Sequence, residues 1–116
     1  MTDKIKTGNK GEEQAADFLV AKGYEIVARN YRYKHAEIDL IAKKENWLVF
    51  VEVKTRASSA FGEPEAYLET RKAAKVMEGA EQYMIDNNWH GNIRFDVVAI
   101  KFGSLPEITH FEDAFH

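Results

Sequence analysis

The chain predicts one α/β domain, residues 1–116, in the order αβββαβ with a short further strand at its end. Three observations carry that expectation. Two apolar segments rich in β-branched and aromatic residues, Glu37–Ala42 and Trp47–Lys54, follow one another between polar, turn-prone flanks. Two other segments, one on each side of this strand region, repeat apolar residues at helical spacing. At 116 residues and 45% hydrophobic content the chain can bury a single core, and it shows no repeat, low-complexity run or internal linker.

Taken in order, residues 1–7 are expected to be a flexible N-terminus. Thr7-Gly8-Asn9 reads as the entry to a first helix over about Lys10–Lys22, which Gly23 ends. Glu12, Ala15, Ala16 and Leu19 share one face of that helix, so Glu12 stands at the N-terminal end of its buried stripe. The helix macrodipole also favours an acidic residue there, with no further role. Tyr24–Asn30 is a first strand, and Glu37–Ala42 and Trp47–Lys54 continue it as a meander. Arg56–Gly62 is a loop. Pro64 suits the first turn of a long helical region reaching about Asn87, with Thr70 as a cap where it is interrupted. Its stripe of Leu68, Ala73, Val76, Met77, Ala80 and Met84 is expected in the core. Gly91 breaks the helix, Ile93–Ile100 forms a fourth strand and Glu107–Phe111 a short edge strand.

Composition removes several classes of function. The chain has no cysteine, so it offers no disulfide framework, thiolate metal site or thiol nucleophile. Nothing in it resembles a signal peptide or a transmembrane span, and a cytoplasmic protein without membrane contact is expected. A formal net charge of −3 argues against coating nucleic acid by bulk electrostatics but leaves room for a local basic surface. His35, His90, His110 and His116 show no metal-ligand spacing and receive no role.

The charged residues inside the two apolar strands are the informative ones. Side chains alternate along a strand, so Leu48, Phe50, Glu52 and Lys54 share one face, and Asp39 shares a face with Ile41 and Glu37. Two apolar rows therefore end in carboxylates and an ammonium, which are costly to bury unless paired or bound to a cation. A salt bridge from Lys54 to Asp39 or Glu52 explains Glu-x-Lys by itself. The count of charges points further: Glu37, Asp39 and Glu52 are three carboxylates against one Lys54. A divalent cation would relieve the surplus, and hard oxygen ligands of this kind suit magnesium or manganese. Basic residues at Lys54, Arg56, Arg71, Lys72 and Lys75 could stand near the carboxylates. Arg29, Arg32 and Lys34, interleaved with Tyr31 and Tyr33, form another candidate surface for backbone contacts and base stacking, with a solvated charged face as the equal alternative.

Asp39 followed by Glu52-Val53-Lys54 on the second and third strands of an αβββαβ order resembles the PD-(D/E)xK nuclease superfamily. More closely, the chain resembles the YraN-like family of uncharacterised bacterial predicted endonucleases, related to archaeal Holliday-junction resolvases. The matching pieces are Gly8-Asn9-Lys10-Gly11-Glu12, Arg29-Asn30-Tyr31-Arg32, Glu37-Ile38-Asp39-Leu40-Ile41-Ala42 and Phe50-Val51-Glu52-Val53-Lys54-Thr55-Arg56, then Phe61-Gly62 with Pro64 and Arg94-Phe95-Asp96-Val97-Val98. Ala36 replaces the family's usual glycine before Glu-Ile-Asp, which changes the turn into the strand and leaves the carboxylates intact. Ile38 stands where the superfamily has proline, as is usual in this branch.

The resemblance implies a restriction-endonuclease-like three-layer core with a mixed central sheet flanked by helices. It implies that Asp39 and Glu52 bind a catalytic magnesium or manganese ion, that Glu12 assists from the helix and that Lys54 orients or helps deprotonate the attacking water. Glu37 is a weaker candidate ligand, and Arg56, Lys72 and Arg32 are candidate phosphate contacts. The function expected is a metal-dependent nuclease acting on DNA, including branched or junction DNA, with nucleic acid as partner and a homodimer as the assembly that junction resolution requires. Two alternatives stay open: a non-catalytic nucleic-acid-binding module of the same fold, and a structural or protein-interaction domain whose charges pair internally.

Overall fold

The computed structural model describes residues 3–56 and 70–114. Helix α1 (Asp3–Ala21) is followed by strands β1 (Glu25–Tyr33), β2 (Ala36–Lys44) and β3 (Trp47–Arg56). Helix α2 (Thr70–Asp86) then leads to β4 (Asn92–Lys101) and β5 (Glu107–Phe111). The five strands form one sheet in the order β1-β2-β3-β4-β5, antiparallel throughout except between β3 and β4. A parallel neighbour needs a crossover, and α2 lies in the β3–β4 connection.

Alternation along β3 places the helices. Val49 and Val51 pack with Ala15, Ala16 and Leu19 of α1, whereas Leu48 and Phe50 pack with Ala73, Val76 and Ala80 of α2. Successive strand residues face opposite ways, so the helices cover opposite faces. The result is an α/β protein with a mixed sheet between two helices, in the αβββαβ order of the restriction-endonuclease-like core. Burial on both faces is why β3 and β4 read as nearly unbroken apolar runs.

Several local expectations need correction. Helix α1 begins at Asp3 rather than near Lys10, so residues 3–7 are helical rather than a loose tail. A cap contributes only about 1 kcal/mol, too little for Thr7 or Asn9 to stop a helix that continues through them. Its other end is as expected: Gly23, at φ 99°, donates to the Val20 carbonyl while Tyr24 donates to that of Leu19, closing the last turn. In α2 the same task falls to Asn88, at φ 51°, not to Gly91; Asn88 donates to Ile85 and Trp89 to Met84. Gly91 instead permits a close approach, since a Cβ there would stand 2.8 Å from the Asn46 carbonyl oxygen. Met77 is 51% exposed and outside the core, because it lies one position round the helix from the Ala73, Val76, Ala80 line. The first strand extends past Asn30 to Tyr33. Pro64, Leu68 and the loop beyond Arg56 lie outside the described residues. No described helix is long and apolar enough to cross a membrane.

Candidate functional site

The β2–β3 ladder runs from Lys44 paired with Trp47 to Leu40 paired with Val51, and stops there. One step further, the Asp39 side chain replaces the strand backbone: its Oδ2 accepts a hydrogen bond from the Val53 N–H at 2.8 Å. Pairing with β1 is interrupted at the same place. Arg29 pairs with Leu40 and Tyr31 with Ile38, while Asn30 and Asp39 stand between these pairs, outside the ladder. Side-chain alternation slips here on both strands. Ala28 and Tyr31 pack into the cluster under α2, and so do their partners Ile41 and Ile38. Strict alternation would send residues three apart to opposite faces. The expectation of one continuous row through Glu37, Asp39 and Ile41 is therefore corrected: β2 is irregular at Asp39, and its carboxylate reaches sideways to β3.

Glu52 follows Phe50 on the α2 face and forms an ion pair with Lys72 of α2. Glu37, Asp39 and Glu52 line a cleft of about 230 Å³ whose other wall carries Lys72 and Lys75. At its edge Arg32 pairs with Glu37 at 3.5 Å, both side chains well exposed. Lys54 is half-buried two residues beyond Glu52 and is not part of the cleft lining. Arg56 turns its guanidinium back to the Thr55 carbonyl at 2.9 Å.

Glu12 arrives from α1. A Cβ on Gly11 would lie 2.3 Å from the Thr55 Cγ2, so helix and β3 come closer than any side chain at that position would allow. Turned with its nitrogen toward α1, the Asn30 amide donates to both Glu12 carboxylate oxygens, at 3.3 and 3.2 Å; the opposite orientation would set acceptor against acceptor.

These carboxyls perturb one another. Burial, then the charge of Glu52 and more weakly that of Glu12, push Asp39 up to about 7 against the opposing Val53 hydrogen bond. Glu12 is raised as well, first by burial, with Asn30 opposing and Glu37 and Glu52 adding. Among the described residues no three His, Asp or Glu side chains converge on one point to enclose a metal. Magnesium seldom uses such a cage; one or two carboxylates facing an open, hydrated cleft are its usual donor set. Asp39 and Glu52 fit that set.

A second acidic centre lies away from the cleft. Asp96 on β4 is fully buried, with Arg94 donating to both its oxygens at 2.8 Å. His110 Nε2 stands 2.7 Å from Oδ2, and the Asp113 N–H donates to Oδ1 at 3.0 Å. Arg94 also donates to the Tyr24 hydroxyl at 2.7 Å. His110, with no role expected from sequence, thus fastens β5 to β4. Asn30 was also missed as a site residue. Its signal is a residue disfavoured in strands but tolerant of φ > 0, standing between Arg29 and Tyr31.

Residues 11–100 match the uncharacterised protein family UPF0102. A UPF0102 protein of Flavobacterium psychrophilum is 42% identical over 100% of this chain and 98% of its own length. One of Cytophaga hutchinsonii is 44% identical over 90% and 92%, and one of Rhodococcus jostii is 42% identical over 99% and 100%. Among solved structures, Pyrococcus furiosus SfsA in complex with Ca2+ aligns at a TM-score of 0.39 and 12% identity, over 98% of this chain and 65% of that one.

Proposed function

This chain belongs to the uncharacterised protein family UPF0102, and from that premise and the cleft we propose that it is a divalent-metal-dependent nuclease hydrolysing phosphodiester bonds in DNA. The observation that carries the reading is the place where β2 and β3 part: Asp39 and Glu52 share a cleft edged by Lys72, Lys75 and Arg32. Asp39 and Glu52 would hold magnesium or manganese, with Glu12 assisting and Glu37 as an outer ligand. When bound, such an ion lowers the pKa of water and neutralises charge on the scissile phosphate. The chain's own residues do the rest. The Val53 N–H fixes the direction of the Asp39 carboxylate. Lys54, next along the strand, orients the attacking water and steadies phosphate charge. Lys72 and Arg32 contact flanking phosphates by exchanging their pairing with Glu52 and Glu37 for substrate oxygens; Arg56 is a further contact. Branched DNA is the first substrate class to test, and a homodimer would bring the two sites that junction cutting needs.

One observation favours a second reading. Glu52 and Glu37 are each paired with a cation of the same chain, as in a structural domain with internally balanced charges. A cleavage assay decides between them, using labelled single-stranded, duplex, flap and four-way-junction DNA with magnesium, manganese or chelator. Metal-dependent cutting by the native chain, lost in Asp39→Ala and Lys54→Ala, is expected. Salt-sensitive binding without cutting would indicate a binding module, and neither binding nor cutting on any DNA would sink the proposal.

A further inference from the structure

We propose that Asn30 is a positioning residue of the candidate metal site, setting the helix carboxylate Glu12 beside the cleft through its side chain and the strand carboxylate Asp39 within it through its backbone. The inference rests on the metal-site reading above and adds a residue to it. Two independent features of Asn30 carry it.

The first is its backbone. Asn30 lies inside β1 yet adopts φ 51°, the left-handed region. Asparagine tolerates that region better than any other residue with a side chain except aspartate, and a β-branched residue there would be strained. The consequence is visible in the sheet. The β1–β2 register continues unchanged from Arg29–Leu40 to Tyr31–Ile38, so no residue is inserted. Alternation nevertheless slips by one on both strands, because Ala28, Tyr31, Ile38 and Ile41 all pack on the α2 side. The slip is centred on Asn30 and on the residue across from it, Asp39. It lets Asp39 leave the row of its strand and reach the Val53 N–H on β3. A regular β1 would keep the alternation of β2 and hold Asp39 on one face of the sheet.

The second is its amide, which spans both oxygens of Glu12. A free glutamate side chain samples several rotamers, and fixing one is what a hydrogen-bonding neighbour outside the ligand set contributes to a metal site. Glu12 comes from a helix on one face of the sheet, whereas Glu52 follows a residue packed under the helix on the other. Glu12 is not part of the cleft lining, but held by Asn30 across from Asp39 it stands near enough for its charge to act on Asp39. One residue thus joins the layer of α1 to the opening between β2 and β3.

Two variants separate the features. Asn30→Gly keeps access to the left-handed backbone and removes the amide; Asn30→Ala removes both. Manganese binding followed by calorimetry, beside thermal unfolding of the metal-free proteins, is the readout. In Asn30→Gly, manganese affinity is expected to fall about 10- to 100-fold with little change in unfolding temperature. Asn30→Ala is expected to lose the same affinity and to unfold at lower temperature. Because the amide acts through Glu12, adding Asn30→Gly to Glu12→Gln should weaken binding no further than Glu12→Gln alone. Native-like manganese affinity in Asn30→Gly, or full additivity with Glu12→Gln, would overturn the role of Asn30 while leaving the metal site standing. A native protein that binds no manganese would overturn both.

Discussion

Asp39 and Asp96 are two carboxyls in one sheet with opposite surroundings. Asp96 is fully buried, and burial alone would raise its pKa; the hydrogen bonds of Arg94, His110 and the Asp113 N–H outweigh that and hold it below the ordinary aspartate range. Its presence in turn raises the pKa of Arg94. Asp39 is less buried, yet burial and the neighbouring charges of Glu52 and Glu12 push it up to about 7 against a single opposing N–H. Every acceptor site around Asp96 is answered by a donor of the chain, which is what a fastening needs. Asp39 instead meets burial and the charges of two other carboxylates with one N–H to answer them, an arrangement that stability alone does not call for. On the proposed reading, the difference separates a charge placed for stability from a charge placed for a ligand.

The sharpest test of that contrast is Asp96→Asn. It leaves the largely buried Arg94 guanidinium with only the exposed Glu112, at 3.7 Å, as counter-charge and should cost about 3 kcal/mol, read from urea unfolding at neutral pH. Asp39→Asn should cost nothing comparable there, because it removes a charge that its neighbours oppose. Equal losses from the two would erase the distinction.

Next in size is the effect of metal. Manganese at about 100 times its dissociation constant should stabilise the native chain by about 2.7 kcal/mol, and Asp39→Asn should abolish the gain. Because protons compete for the same carboxylates, the gain at a fixed manganese concentration should grow as pH rises through about 7. A stabilisation unchanged in Asp39→Asn would place the ion elsewhere.

The pH profile without metal is a further test, and its sign differs for the two residues. Between the ordinary value of 3.8 and about 7, native Asp39 keeps a proton that the unfolded chain releases. Its contribution is therefore fully present below 3.8 and lost as pH rises through about 7. Asp96, with its native pKa lowered, contributes fully above 3.8 and loses that contribution as the solution is acidified further. Asp39→Asn should flatten the falling limb and leave the acid limb in place. A profile unchanged by Asp39→Asn would show that its carboxyl titrates normally.

What the sequence determined by itself was local. The periods of 2 and 3.6 in apolar residues mark each described strand and helix, though not the start of α1 or the end of β1, and β5 falls at Glu107–Phe111 as expected. The spacing from Asp39 to Glu52 marks the candidate site, since a carboxylate in an apolar strand stands out one residue at a time. Tertiary structure decided how those charges meet. The register of β1 on β2 brings Asn30 across from Asp39, and the packing of α1 brings Glu12 to the Asn30 amide. Pairing of β5 on β4 carries His110 to Asp96, and α2 brings Lys72 to Glu52. Each of these contacts joins residues far apart along the chain, and which side chain meets which is fixed only by sheet register and by the packing of helices on opposite faces. Hydrophobic periodicity encodes the face a residue occupies but not its partner there.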